Sequence, residues 1–521
     1  MFKSKVYAVD EAVSKIPPGA TVLVDGSGGG VNEPGYILAA LKKRFERYGS
    51  PGGLTVVHPS GMGDGQGGGI DYLANPRLVR KVIGGHWSWC RQMQDLAVTD
   101  QIEAWCLPQG VMSHLLRVIA SNGPGLISRV GLGTFVDPRI DGGRINQRAT
   151  GEHVRLMTLE EEEFLFFRAF PIDVAIIRGS VADEDGNMTM DEEGLNAETL
   201  SAAQAAKNSG GMVIAQVKHL AARGSLDPRR VKVPGVLVDA VVVCQEQRLS
   251  FATECDPSLT GTLRIPGGQF PLLPMSARKV IARRAAKTLQ EGDIVNLGYG
   301  MPDGVASVLA EQGQGDMVTF TLEQGHIGGI PATGSDFGMV RNPQAMLDAG
   351  YQFDWYDGGG LDIAILSFAE VDQQGNVNVS KFGGRVAGIG GFVNISQGAH
   401  RVVFVGTFKA GKQRQHFSSD GIKIEAEGHA RKFVNKLEQI SFSAFYASKR
   451  NQPVIYITER CVFELGPEGL VLTEIAPGVD LEKDILAQMD FRPGIASTLK
   501  MMDPALFGSP VIAQSTVGAC S

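Results

Sequence analysis

The chain has 521 residues, 43% of them hydrophobic and 20% charged, with 67 glycines and a formal net charge of −7. That length suggests two or three domains with cores of their own, and the glycines are spread among apolar runs without a triplet period, which excludes collagen and low-complexity disorder. The mild acidity argues against non-specific nucleic-acid binding but leaves small anionic ligands open, since backbone amides bind them without net charge.

In chain order, a short helix is predicted from Asp10 to Ile16, stopped by Pro17-Pro18-Gly19. A buried strand, Thr21 to Asp25, breaks at Gly26-Ser27-Gly28-Gly29-Gly30. Next comes an amphipathic helix with Ile37, Leu38, Leu41 and Phe45 on one face, and then the strand Leu54 to Val57. Strand, glycine turn, helix, strand is the rhythm of a parallel sheet covered on both faces. Leu107-Pro108-Gln109-Gly110 leads into a helix whose inner side is Val111, Leu115, Val118 and Ile119. Gly131 to Pro138 reads as a loop able to line a pocket, and Glu160 to Glu163 as a solvated helix start. Three more apolar strands are expected at Asp173–Ser180, Met212–Val217 and Val236–Val243.

Around residues 256–275 the periodicity disappears among prolines and glycines, which marks a linker between domains 1–255 and 276–521. Ser276 then caps a helix expected to run to Gly292, and the opening rhythm returns. Gly19 to Gly28 is echoed by Gly292 to Gly300, and Asp173 to Asn187 by Asp362 to Asn376, the latter without a gap. The chain reads as a duplicated α/β fold made of two open parallel-sheet domains. Aligning the halves sets Pro59 opposite Glu323 and leaves Gly388-Ile389-Gly390-Gly391-Phe392 without a counterpart, so one half keeps the chemistry and the other forms a wall or lid.

Glu323 ends a strand-forming run, Val318 to Leu322, and opens a glycine-rich segment that extends to Gly338. A strand tip holds a carboxylate on rigid backbone at the rim of a sheet, where open α/β folds bind ligands. Glycine turns on either side, at Gly298-Tyr299-Gly300 and Gly388 to Gly391, offer backbone amides to a developing oxyanion. Together they suit covalent acyl transfer by a carboxylate nucleophile. No metal ligand set is expected.

These residues resemble a family I CoA-transferase, closest to the short-chain acetate/propionate type with both halves fused in one chain. The matching stretches are Leu107 to Gly110, Glu323 within Thr321-Leu322-Glu323-Gln324-Gly325, Ile330 to Gly338, Gly375-Asn376-Val377-Asn378, Gly388 to Phe392, and Glu474 to Asp480. The resemblance implies that Glu323 is the nucleophile of a ping-pong transfer of CoA from a short-chain acyl-CoA to a carboxylic acid such as acetate. The carboxylate would pass through a glutamyl-CoA thioester, helped by an asparagine, Asn378 or alternatively Asn376. Gly298, Tyr299, Gly300, Gly388, Gly390 and Gly391 are read as oxyanion or CoA contacts, and Gly28, Gly29 and Gln109 as substrate-pocket residues. Gln324 departs from the family pattern, and Val243 to Leu263 is unlike the short-chain enzymes, which leaves the acyl group open. CoA is expected as a substrate, with no permanently bound cofactor.

Other readings stay beside this one. Gln109 either meets a substrate carboxylate or caps its helix. His326, His86 and Trp87 are better explained as packed residues, and Lys381 and Arg385 either meet CoA phosphates or are solvated. Gly298-x-Gly300 followed by an acidic strand end also fits a nicotinamide-dependent dehydrogenase, although Pro302 and Asp303 spoil its fingerprint; thioesterase activity and a ligand-sensing protein are further alternatives. The six cysteines, Cys90, Cys106, Cys244, Cys255, Cys461 and Cys520, show no zinc or CxxC spacing and read as reduced thiols. With no apolar run of membrane-spanning length, a cytoplasmic homo-oligomer, dimer or tetramer, is expected, with no membrane or nucleic-acid partner.

Overall fold

Parallel strands buried on both faces read as nearly unbroken apolar runs, and the two halves of the chain each supply a set of them. The structure, a computed structural model, describes residues 4–266 and 272–508. Gly267, Gly268 and Pro271 of the linker, and Cys520, lie outside the described residues.

The first sheet is built from β1 (Thr21–Val24), β2 (Leu54–His58), β3 (Val79–Gly84), β4 (Glu103–Cys106), β5 (Val174–Asp183), β6 (Met212–Ala221) and β7 (Ala240–Val243). These seven run parallel in the order β4-β3-β2-β1-β5-β6-β7, and the short strand Met188–Thr189 pairs antiparallel with the end of β5. The second has a parallel centre of β8 (Ile294–Leu297), β9 (Thr319–Leu322), β10 (Ile363–Ser367), β11 (Arg401–Val405) and β12 (Val454–Ile457), in the order β9-β8-β10-β11-β12. Antiparallel strands extend it at both edges, among them His326–Ile327 next to β9 and Cys461–Gly466 next to β12. The run β2-β1-β5-β6-β7 therefore has the same order as β9-β8-β10-β11-β12. β5 and β10, which carry the echoed sequences, hold the same place in the two sheets, and the molecule is a duplicated α/β fold.

Local chemistry explains where elements start and stop. Ser276 accepts a hydrogen bond from Lys279 N at 3.4 Å and caps the helix Ala277–Ala286. That helix ends before the Gly292 expected from sequence. The four glutamates are not a helix start. Val154–Leu159 and Glu162–Arg168 pair as an antiparallel hairpin, and Glu160 and Glu161 turn it with φ of 47° and 65°. The Gly131 loop does not line the cavity described below: Gly131 N donates to Gln397 Oε1 at 2.9 Å and Phe135 N to Ile440 O at 2.7 Å, so it fastens the halves together. The stretch after Cys255 is likewise held down, with Arg341 bonded to Ser258 and Ile265 N donating to Asn342 Oδ1.

Inside the first half, Asp25 and Glu198 form a buried carboxyl pair. Thr199 Oγ1 donates to Asp25 Oδ2 and Ser113 Oγ to Glu198 Oε1, both at 2.5 Å. Burial, reinforced by Asp25, pushes Glu198 up to about 8, and burial also raises Asp25. The folded chain thus holds protons that the unfolded chain releases in the ordinary carboxylate range, so this pair's contribution to stability falls as pH rises toward 8. Glu198→Gln keeps an acceptor for Ser113 and removes one titration. It is expected to be more stable than the wild type at pH 8 by about 1 kcal/mol or more, with the difference shrinking toward pH 5. Denaturant unfolding at the two pH values checks this; equal slopes for both proteins would refute it.

Candidate active site

The carboxyl ends of the strands in both sheets meet across one cavity of about 340 Å³. The second sheet contributes Gly298 and Tyr299 after β8, Glu323 and Gln324 after β9, and Leu366 and Ser367 at the end of β10. The first sheet contributes Ser27 and Gly28 after β1, Ser60 and Gly61 after β2, His86 and Trp89 after β3, and Gln109 after β4. Gly388, Gly390 and Gly391 close the floor.

Glu323 follows directly on the last residue of β9. Burial raises its carboxyl above the ordinary range, opposed by its own backbone N–H and by the side-chain amides of Gln324 and Asn296. Gln324 Nε2 donates to Glu323 Oε1 at 3.2 Å. A carboxylate so placed is poorly solvated, with the Gln324 amide in hydrogen-bond reach and Asn296 on the same cavity wall, a setting that suits attack on an electrophile. Asn296 comes from β8, where it is the register partner of Thr321 on β9. Nothing in the sequence spacing marked it; the contact arises only when the two strands pair.

Asn378, expected beside Glu323, is absent from the cavity wall. Its amide nitrogen donates to Glu370 Oε2 at 2.7 Å and to Lys381 O at 2.6 Å, and its Oδ1 accepts from Ser380 N, so it is committed to a hairpin. Asn376 is spent in the same way, donating to Asp372 and accepting from Ala444 N.

The glycine loop also differs from expectation. Gly390 N and Ile389 N both donate to Gly85 O, at 2.8 and 2.9 Å, and Gly388 N donates to Ser380 O at 3.1 Å, so these amides are not free for an oxyanion. In return Gly390 O accepts from Gln109 N at 2.8 Å. The loop is clamped between β3 and β4 of the other half. Gly391 packs against the stem of the Glu323 side chain: a Cβ there would lie 3.2 Å from Glu323 Cγ and 3.2 Å from Ile395 Cδ1. Its φ of −80° suits any residue, so contact, not backbone strain, requires glycine. Gly391→Val is expected to keep the fold and, by displacing Glu323 on the order of 1 Å, to lower turnover about a hundredfold. Turnover and melting temperature measured together decide this; full turnover would separate the loop from the carboxylate's work.

Of the other sequence candidates, Gly28 lines the cavity with its Cα against the Trp89 ring, where a Cβ would sit 2.5 Å from Nε1. Gly29 does not line it; a Cβ there would lie 1.9 Å from Ser335 O, and the residue seals the join between the halves. Gly300 also lies off the wall, its carbonyl accepting from Arg278 Nη2 at 2.9 Å. Tyr299 is half exposed, its ring 6.3 Å from Trp89 and 4.7 Å from Phe337, centre to centre. Of this aromatic trio, drawn from three distant loops, only Tyr299 was expected from the sequence; Trp89 and Phe337 were missed. Burial and His58 lower His86 to about 4, which keeps it neutral near pH 7. His326 is structural, its Nε2 donating to Gly194 O at 2.8 Å. Lys381 lines a separate cavity beside Glu438, and Arg385 sits exposed on the same hairpin.

A family model described as Coenzyme A transferase matches residues 6–244. The chain is 45% identical over 512 residues to a caffeate CoA-transferase of Acetobacterium woodii, covering 97% of each. It is 41% identical over 503 residues to the acetate CoA-transferase YdiF of Escherichia coli O157:H7, covering 96% of this chain and 95% of that one. The crystal structure of the YdiF apoenzyme superposes with a TM-score of 0.93 at 40% identity, over 97% of this chain and 96% of that one. A YdiF thioester complex with CoA superposes with a TM-score of 0.91 over the same shares.

Proposed function

Since this chain belongs to the coenzyme A transferase family and is a CoA-transferase, we propose that Glu323 is the residue that carries CoA between its two acyl partners. The family sets aside the nicotinamide-dependent alternative. The observation that carries the assignment is the half-buried Glu323 side chain at the tip of β9, on the wall of the cavity between the halves.

A Glu323 carboxylate oxygen attacks the thioester carbonyl of the acyl-CoA. The C–S bond breaks, CoA leaves as thiolate, and an acyl–glutamyl anhydride remains. The thiolate attacks the glutamyl carbonyl of that anhydride; its C–O bond breaks, and the donor acid departs as carboxylate from a glutamyl-CoA thioester. The acceptor carboxylate then attacks this thioester, and the same two steps run in reverse, returning Glu323 as carboxylate. No net proton or water is consumed. The Gln109 side-chain amide and Gly391 N–H, both at the cavity, are read as donors to the oxyanions formed. The thioester complex of the similar E. coli enzyme supports a thioester intermediate here.

The donor is read as a short-chain acyl-CoA and the acceptor as a small carboxylic acid such as acetate. Walls of Trp89, Tyr299, Phe337 and Phe392 suit an apolar acyl group and extend the reading beyond acetyl, as the names of the acetate and caffeate relatives span. Purified protein assayed against acetyl-, propionyl-, butyryl- and cinnamoyl-CoA, with and without acetate, tests this. Transfer that requires an acceptor is expected; CoA release without one would make the protein a thioesterase. Among the described residues no helix is long and apolar enough to cross a membrane. A homo-oligomer in the cytoplasm is part of the reading, and sedimentation and cell fractionation test it.

A further inference from the structure

Consecutive side chains on a strand point to opposite faces, so Glu323 and Gln324 would face apart if β9 ran on. The chain turns instead. Gly325 N donates to Leu322 O at 3.0 Å and Leu322 pairs with His326 of the returning strand, so Glu323, Gln324 and Gly325 form a three-residue hairpin loop. Gly325 closes it with φ of 113°, and a Cβ there would run into Leu347 O. The tight turn brings the two side chains together, and Gln324 Nε2 donates to Glu323 Oε1 at 3.2 Å. The buried Gln324 stem lies against Gly338, where a Cβ would stand 3.5 Å from both Cγ and Cδ.

Among the described residues that bond is the only one the Gln324 side chain makes, since its Oε1 is buried without a partner. An unmatched buried oxygen weakens a fold, so stability does not explain the amide's placement, and its one bond falls on an atom that reacts. The two Glu323 oxygens therefore differ. Oε1 is held by Gln324, whereas among the described residues no hydrogen bond reaches Oε2, which leaves Oε2 to attack the acyl-CoA and become the bridging oxygen of the anhydride. Oε1 stays as the glutamyl carbonyl oxygen. When the CoA thiolate attacks the glutamyl carbon, the carbonyl electron pair moves onto Oε1; on collapse the C–Oε2 bond breaks and Oε2 leaves in the donor acid. The acceptor's attack on the thioester charges Oε1 a second time, and that collapse breaks the C–S bond and expels the thiolate. We propose that Gln324 is a catalytic residue whose side-chain amide donates to the oxyanion on Glu323 Oε1, both when the glutamyl-CoA thioester forms and when it is discharged. Gln109 and Gly391 then serve the oxyanion on the substrate's own carbonyl. This rests on Glu323 as nucleophile.

Gln324→Met keeps the length of the side chain and removes the amide, and Gln324→Leu is a second such variant should methionine not fit. For either, thioester formation and discharge are each expected to slow about a hundredfold, the scale of one lost oxyanion donor, with the melting temperature unchanged. Discharge is the deciding measurement. Each enzyme is incubated with acyl-CoA until the CoA adduct is complete, desalted and mixed with acetate, and loss of the adduct is followed by intact-protein mass spectrometry. The loaded enzyme has no Glu323 carboxylate to ionise. An amide that only kept Glu323 ionised or aimed before attack would therefore slow formation and leave discharge at the wild-type rate, and that outcome overturns the proposal. Wild-type rates in both steps overturn it too, as does a slowed discharge that comes with a lowered melting temperature in both variants. Glu323→Gln, run beside them, separates the causes. If it transfers CoA normally, the nucleophile assignment falls; if it is inactive while Gln324→Met discharges its adduct normally, only the role of Gln324 falls.

Discussion

Glu323→Gln is expected to lower CoA transfer by about four orders of magnitude or more, the range seen when a covalent nucleophile is removed outright. Glutamine keeps the size of the side chain and one carbonyl oxygen, and it is neutral, so burial at this site costs it less than it costs the carboxylate. The protein should fold at least as stably as the wild type and bind acyl-CoA with little change. What it lacks is the anionic oxygen that attacks the thioester, and among the described residues no other carboxylate lines this cavity to replace it. Glu323→Asp is the companion. It keeps the charge and retracts it by one methylene, so a loss of about a hundredfold from misplacement is expected instead of abolition. Steady-state transfer rates with unfolding curves check both, and a Glu323→Gln enzyme that is active while folded would end the assignment.

The second large effect is expected at Asn296. Asn296→Leu preserves volume but removes the amide that lowers the pKa of Glu323. Loss of one such donor in a desolvated site typically costs about a hundredfold in turnover. The pH dependence gives its sign. Glu323 attacks only when ionised, so activity is present above its folded-state pKa and is lost as pH falls through it. Burial already sets that point above the ordinary carboxylate range, and Asn296→Leu should move it further up. His86, another titratable side chain on the cavity wall, is already neutral in this range and should not distort the profile. Asn378→Ala is the contrast: it breaks hydrogen bonds to Glu370 and Lys381 and is expected to lower stability by about 1 kcal/mol or more while leaving the pH profile in place. The two pH–rate profiles check the pair; a shifted profile in Asn378→Ala with an unchanged one in Asn296→Leu would reverse the roles.

Much of this was legible in the chain because it is local. The duplicated strand-and-turn rhythm is a repeat of buried strands, and repeated strands take equivalent places in equivalent sheets, as β5 and β10 do. Glu323 stood out because it ends a strand-forming run and opens a glycine-rich loop. What could not be read depends on register and on contacts between halves. Asn296 reaches Glu323 only because β8 pairs with β9 so that Asn296 lies beside Thr321. Asn378, in a motif that drew attention, turns back into its own hairpin. The Gly388–Gly391 loop looked like a set of free amides, and its geometry is instead fixed by Gly85 and Gln109, hundreds of residues earlier in the chain. The glutamates at 160–163 were misread from charge alone, although the apolar residues on either side of them pair as strands.

The account's central claim is that CoA becomes covalently attached to Glu323. The direct measurement is intact-protein mass spectrometry after brief exposure of the wild-type enzyme to acyl-CoA without acceptor acid, followed by peptide mapping. The predicted result is one CoA per chain, on the peptide containing Glu323, discharged by added acetate. A CoA adduct mapped to any other residue, or active enzyme that carries none at any time in turnover, would contradict it.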